Sequence, residues 1–207
     1  YNMKAVVIFS SFLWFAMASG FAPAFAPNSM SCSKNVSYRG GTNFKMAATE
    51  EVKVGDKIPD VTLKQGQADY EKPVEVKLLD LIAGKKVAIF AVPGAFTPGC
   101  SKSHLPSFIT AQDELKAKGV ELTICVATND AYVMEAWGRS SGGTDAGILF
   151  LSDSDAELTK AFGLVMESDV FVRSKRYSLI AEDGVVTEYF SSAEDSSNTW
   201  APSVLGK

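Results

Sequence analysis

Three short apolar runs constrain this chain more than anything else in it: KVAIFAV at 86–92, VELTICVAT at 120–128 and ILFLS at 148–152. They are rich in branched aliphatic residues and lack a sustained polar alternation, as strands covered on both faces do. Between them the pattern turns helical. From Cys100 to Lys118, Leu105, Phe108, Ile109 and Leu115 make one apolar face, and Gly119 supplies the stop. Pro106 lies inside this span and has no amide to donate, which predicts a bend near the first turns. Asn129 or Asp130 caps a second helix carrying Tyr132, Val133, Ala136 and Trp137. DAELTKAFG at 155–163 is a third, ending at Gly163. Upstream, VEVKLL at 74–79 runs from a short strand into a brief helix stopped at Gly84. Downstream, RYSLIAEDGVVTEYF at 176–190 reads as two strands around the hairpin pair Asp183-Gly184, and the tail holds a last short helix.

The order is therefore β-α-β-α-β-α-β-β-α. Strands joined through helices pair in parallel, and the hairpin adds antiparallel partners. The expected class is α/β, with a mixed central sheet and helices on both faces, as in the thioredoxin-like fold.

Charge divides the chain. Residues 1–49 hold no Asp or Glu and only Lys4, Lys34, Arg39 and Lys45 as charges, so the remainder carries all 24 acidic residues against 16 of the 20 basic ones. An acid-free N-terminus is a targeting composition. Met3-Lys4 followed by the apolar stretch 5–18 and by Ala18-Ser19-Gly20 predicts a signal peptide over 1–20. The polar, basic segment 21–46 is transit-peptide-like, and Cys32 and the sequon Asn35-Val36-Ser37 fall within it. The folded domain is expected over 47–207. The Phe-Ala-Pro joint resembles the bipartite presequences of algae with complex plastids, which implies delivery to the plastid stroma by the secretory route; simple secretion is the alternative. A net charge of −4 gives no reason to expect a nucleic-acid partner, and the mature part has no membrane signature. Three cysteines in 207 residues are not a disulfide scaffold.

One of those cysteines stands in VPGAFTPGCSKSH, residues 92–104, where the first apolar run gives way to the first long helix. The mouth of a helix offers unpaired amides and the positive end of the dipole, and both favour the charged form of a thiol. An ordinary cysteine at neutral pH is only a few per cent thiolate. The bland reading, a small core residue, fits poorly with a corner punctuated by Pro93, Gly94, Pro98 and Gly99. A metal site lacks ligands: His104 is the only histidine and no second pair completes a tetrahedron, so no metal and no cofactor are expected. A protease-type dyad needs a histidine brought from across the fold, whereas His104 lies four residues along the same helix; it reads as peripheral to the chemistry, packing or hydrogen-bonding near the corner, with tuning of the thiol as the alternative. A local dithiol is excluded because Thr97 occupies the place of its first cysteine.

Pro93, Thr97 and Cys100 in this setting resemble the Pro-x-x-x-Thr-x-x-Cys signature of the peroxiredoxins, in the wording of the type II (atypical two-cysteine) branch. VKVGDKIPDVTL at 52–63, VATNDAYVMEAWG at 126–138 and VRSKRYSLIAEDGVV at 172–186 resemble the same branch, so the likeness spans about residues 50–190. It implies a thiol-dependent peroxidase acting on hydrogen peroxide and alkyl hydroperoxides. Cys100 would be the peroxidatic nucleophile, Thr97 would bond thiolate and peroxide, and Pro93 would shield the sulfur. Arg176 would hold the thiolate and the developing charge, leaving Arg173 and Lys175 to the surface. Cys125, read from the residues alone as a buried structural thiol, becomes by resemblance a resolving thiol, and its place mid-strand demands local unwinding around Cys100 before a disulfide can form. The resemblance further implies glutaredoxin, glutathione or thioredoxin as reductant, and a homodimer in which Phe96 and Trp137 are either contacts or core. A non-catalytic peroxide sensor or chaperone-like protein on the same fold is the alternative from another class.

Overall fold

The computed structural model describes residues 50–166 and 171–206; the expected leader segments 1–20 and 21–46 lie outside them. The strands are β1 (Thr62–Gln65), β2 (Val74–Lys77), β3 (Lys86–Ala91), β4 (Leu122–Ala127), β5 (Ile148–Ser152), β6 (Val165–Met166), β7 (Arg173–Ser174), β8 (Tyr177–Glu182) and β9 (Val185–Ser191). The helices are α1 (Leu78–Ile82), α2 (Leu105–Thr110), α3 (Gln112–Ala117), α4 (Ala131–Ser140), α5 (Glu157–Ala161) and α6 (Ala201–Val204). Seven strands form one mixed sheet in the order β2-β1-β5-β4-β3-β8-β9, and β6 pairs with β7 in a separate ladder.

The three apolar runs are the parallel centre: β3 pairs with β4, and β4 with β5. Alternation splits their side chains between two cores. Ala88, Phe90 and Cys125 face the layer built from α2, α3, α4 and α6; Val87, Ile89, Ile124 and Val126 face α1 and α5. Helices thus cover both faces, as expected of a thioredoxin-like sheet. The hairpin holds, with Asp183 at φ 47° and Gly184 at φ 76° completing the turn between β8 and β9.

Three expectations need correction. The strand beginning at Val74 does not neighbour β3; it pairs antiparallel with β1, a strand not foreseen because VTLKQ is too short and too polar to stand out. The helix from Cys100 to Lys118 is three pieces: a π-helical turn over Cys100–His104, then α2, then α3 after a break at Ala111. The π turn answers Pro106. Leu105 N–H bonds back to the Cys100 carbonyl, five residues earlier, just before a residue that cannot donate at all. On α4 the buried face is Ala131, Met134, Trp137 and Gly138, while Tyr132 is exposed, so Trp137 belongs to the core. Of the two residues that competed for its cap, Asp130 takes the role, accepting from Val133 N–H at 3.0 Å. Among the described residues no helix is long and apolar enough to cross a membrane.

α4 matters to the site because Trp137 Nε1 donates to Ser101 Oγ at 3.1 Å, tying α4 to the π turn. The opposite side of α4 rests on Gly66, where an added Cβ would collide with the Ala131 carbonyl. Gly66→Ala should therefore lower the urea midpoint by roughly 1–3 kcal/mol of stability with the m-value unchanged; an unaltered midpoint would show that the strand end is free to yield.

Candidate active site

The parallel sheet places the carboxyl end of β3 at the middle of the molecule, and the loop 92–99 leaves it there. Antiparallel pairing of β3 with β8 sets Ala91 opposite Tyr177. Arg176, one residue before, is thereby carried to the loop and the π turn that follows it. Its Nη2 donates to Cys100 Sγ at 3.2 Å. Cys100 is wholly buried. The bond reaching its sulfur comes from this guanidinium, whereas the first amide after it, Ser101 N–H, is taken by the Thr97 carbonyl at 2.9 Å.

Thr97 faces the same turn, but its hydroxyl proton is committed: Oγ1 donates to the Gly94 carbonyl at 2.8 Å. Its lone pairs are what remain to offer, so in this state it is an acceptor for an incoming O–H, not a donor to sulfur. Pro93 is half-buried, and its carbonyl accepts from Arg173 Nη1 at 2.8 Å. Arg173, expected on the surface, thus reaches the loop. Lys175 does point the other way, to Glu51, with Nζ and Oε2 3.4 Å apart. Asn129, passed over as a helix cap, accepts the Ala95 N–H at 2.9 Å.

His104 packs and hydrogen-bonds near the corner, as expected, but more intimately than a peripheral residue would. It is wholly buried, edge-on to Phe90 and Phe108, whose own rings stack 4.1 Å apart. Its Nδ1 lies 2.9 Å from Arg176 Nη1. Arginine can only donate, so Nδ1 accepts and Nε2 carries the ring proton. Nε2 donates to the Thr199 carbonyl at 2.9 Å, where Ser178 Oγ also donates at 2.5 Å. Burial, followed by the charge of Arg176, pushes the imidazole down to about 3, so the ring is neutral at physiological pH. The guanidinium is therefore held from both ends, by sulfur and by imidazole. The i, i+4 spacing of Cys100 and His104 hinted at a shared face; nothing local announced that Arg176 would enter between them.

Cys125 lies mid-strand on β4, wholly buried in the same apolar cluster as Cys100. Both are free thiols. Burial pushes the Cys125 thiol well above the usual range, its proximity to the Cys100 sulfur adds to this, and Arg176 opposes it. Among the described residues no group of three or more His, Cys, Asp or Glu is placed to hold a metal.

Residues 53–203 match the Redoxin family. Peroxiredoxin-2E-2, chloroplastic, of Oryza sativa subsp. japonica is 51% identical over 140 residues, 65% of this chain and 62% of the rice protein. Peroxiredoxin-2C from the same plant is 44% identical over 66% of this chain and 85% of its own. Reduced Prx3 of Vibrio vulnificus, solved in complex with H2O2, superposes with a TM-score of 0.69 at 45% identity, covering 75% of this chain and 98% of that one. The chain spans about three-fifths of the length of the first chloroplastic relatives it matches.

The neutral, buried imidazole has a consequence for acid stability. An unfolded chain protonates His104 near 6.5, whereas the folded one resists until about 3. Between those values the unfolded state binds more protons, so stability is full above 6.5 and falls as pH drops through the window, by up to about 1.4 kcal/mol per pH unit. His104→Gln should show a shallower loss of urea midpoint between about pH 6.5 and about pH 4 than the wild type; equal slopes would contradict a neutral buried ring.

Proposed function

The chain belongs to the Redoxin family as one of its peroxiredoxins, and we propose that it is a thiol-dependent peroxidase reducing hydrogen peroxide and alkyl hydroperoxides at Cys100. The observation that carries this reading is the 3.2 Å bond from Arg176 to the Cys100 sulfur. A permanently charged donor stands where negative charge must pass from sulfur to oxygen, and preorganised donors of this kind are often the largest catalytic term. The thiolate attacks one oxygen of the hydroperoxide. An S–O bond forms as the O–O bond breaks, the sulfur is left as a sulfenic acid, and the departing alkoxide or hydroxide takes up a proton. Thr97 receives the substrate O–H on the lone pairs that its bond to Gly94 leaves free. Pro93 contributes through its place in the loop, where its carbonyl is held by Arg173.

The sulfenic acid is then attacked by a second thiol, giving a disulfide and water, and a further thiol restores Cys100. Cys125 is the proposed internal attacker. Its burial disfavours the thiolate, so it acts once the π turn has opened. A thiol from glutaredoxin, glutathione or thioredoxin is the external one. The proposed setting is the plastid, consistent with chloroplastic relatives, reached by way of segments 1–20 and 21–46 as leader, with a domain over 47–207 acting as a homodimer.

Cys100→Ser should abolish peroxide consumption, and Arg176→Lys should lower kcat/KM by roughly 10²–10³-fold. Consumption unaffected by Cys100→Ser would overturn the enzyme reading. After one equivalent of peroxide, mass spectrometry should find the Cys100–Cys125 disulfide, two hydrogens lighter than the reduced chain; undiminished thioredoxin-driven turnover in Cys125→Ser would remove Cys125 from the cycle.

A further inference from the structure

We infer that Arg173 is a positioning residue for the reaction at Cys100: with Asn129, it clamps the loop 93–97 and thereby aims the Thr97 hydroxyl. The inference rests on the peroxidase reading above. Three side-chain bonds converge on this loop. Arg173 Nη1 donates to the Pro93 carbonyl at 2.8 Å, Asn129 Oδ1 accepts from Ala95 N–H at 2.9 Å, and Thr97 Oγ1 donates to the Gly94 carbonyl at 2.8 Å. Gly94 lies between the two clamped residues. The peptide carbonyl that orients the Thr97 hydroxyl is therefore fixed from outside the loop on both sides. The direction of the Thr97 lone pairs follows from that carbonyl.

Two further observations point the same way. Phe96, inside the loop, holds φ at 60°, a left-handed conformation that a side chain this large adopts only where its surroundings impose it. Its ring is exposed, so packing of Phe96 itself does not supply the constraint, and the flanking clamps do. The space at Gly94 is also reserved. An added Cβ would stand 2.5 Å from Arg173 Nη1, 3.3 Å from Thr97 Cγ2 and 3.6 Å from Asn129 Oδ1, so all three braces border one missing methyl. Arg173 is in turn set by its surroundings. It is paired with Met166 across the β6–β7 ladder, and its guanidinium lies 4.2 Å from the centre of the Phe171 ring. The adjoining Val172 carbonyl accepts from Thr128 Oγ1 at 2.9 Å, which ties the segment to the end of β4.

Arg173 does not touch the sulfur; Arg176 does. The division predicts a specific pattern. Removing Arg173 should leave the charge on Cys100 governed as before and spoil only the alignment of peroxide with it. Misplacement of about 1 Å in a reacting constellation costs roughly 10²-fold.

The test is single-turnover oxidation by hydrogen peroxide, followed by stopped flow, beside the pH profile of iodoacetamide alkylation of Cys100. Arg173→Gln should slow peroxide oxidation about 10- to 100-fold while the alkylation midpoint stays where it is. Arg173→Lys, which can still reach a carbonyl, should recover part of the loss. Gly94→Ala should reproduce the slowing by displacing the guanidinium, and adding it to Arg173→Gln should cost less than about twofold more, because both remove one clamp. Lys175→Gln removes a neighbouring charge on the opposite face and should react as wild type. Should Arg173→Gln not fold, the Gly94→Ala and Arg173→Lys rates decide alone. Wild-type rates in the Arg173 and Gly94 variants, with Cys100→Ser inactive, would overturn this inference and leave the peroxidase reading standing. A shifted alkylation midpoint in Arg173→Gln would also overturn it, since Arg173 would then be acting on the charge of the sulfur. Peroxide consumption persisting in Cys100→Ser would overturn the peroxidase reading itself.

Discussion

One guanidinium joins parts of the chain that are far apart in sequence. Arg176 leads into β8, bonds the sulfur of Cys100 through Nη2 and bonds the ring of His104 through Nη1. The imidazole it meets is neutral and hydrogen-bonded at its far side to Thr199, so the C-terminal segment is part of the same network. A half-buried charged donor held between two acceptors keeps its place only while both partners keep theirs. That requirement explains features that otherwise look unrelated. Phe90 and Phe108 enclose the imidazole, Ser178 shares the Thr199 carbonyl, and Ser107 Oγ receives Ala201 N–H at 3.1 Å while donating to the His104 carbonyl at 2.6 Å. The short C-terminal helix is docked by the residues that fix the arginine.

The centre of the fold was legible for a simple reason. β3, β4 and β5 are buried on both faces, so their apolar runs admit no other placement, and their helical connections force parallel pairing. The edges were not. β1 and β2 are held by register with one another, and β2 is mostly exposed, so their residues carry little apolar pattern. The fracture of the first long helix was half legible. Pro106 announced a disturbance, but whether the chain answers with a bend or with a π turn depends on where Cys100, Ser101 and His104 must point.

The site divides along the same line. Cys100 drew attention as a lone thiol at a helix mouth, whereas Thr97 and Arg176 were singled out by the resemblance of their motifs to the peroxiredoxins. Arg173, Asn129 and Gly94 were not, because each works through a backbone group of another segment: a carbonyl, an amide and a vacant methyl position. Backbone partners leave no trace in side-chain pattern. The partners of His104 were not legible for a related reason. Its value comes from the tautomer that Arg176 and Thr199 impose together, and those partners are 72 and 95 residues away.

Burial of Cys100 sets a conflict for the proposed cycle. A small peroxide needs only a narrow approach to sulfur, and the closed arrangement is the one that holds Arg176 against it. A second thiol needs far more room, and Cys125 has none while it is sealed in the same cluster. The proposed resolution by Cys125 therefore requires residues 100–104 to open, which would part Cys100 from Arg176 and His104 from Thr199. In the proposed cycle the closed state suits the first chemical step, and the second needs a different geometry. The π turn is a rare element of the kind often found at functional sites. Trp137 holds it through one bond to Ser101. The rest of the network bears on the same few residues, so the Cys100 sulfur, Arg176, His104 and the Thr199 carbonyl form one connected chain of bonds from the site to the C-terminal segment.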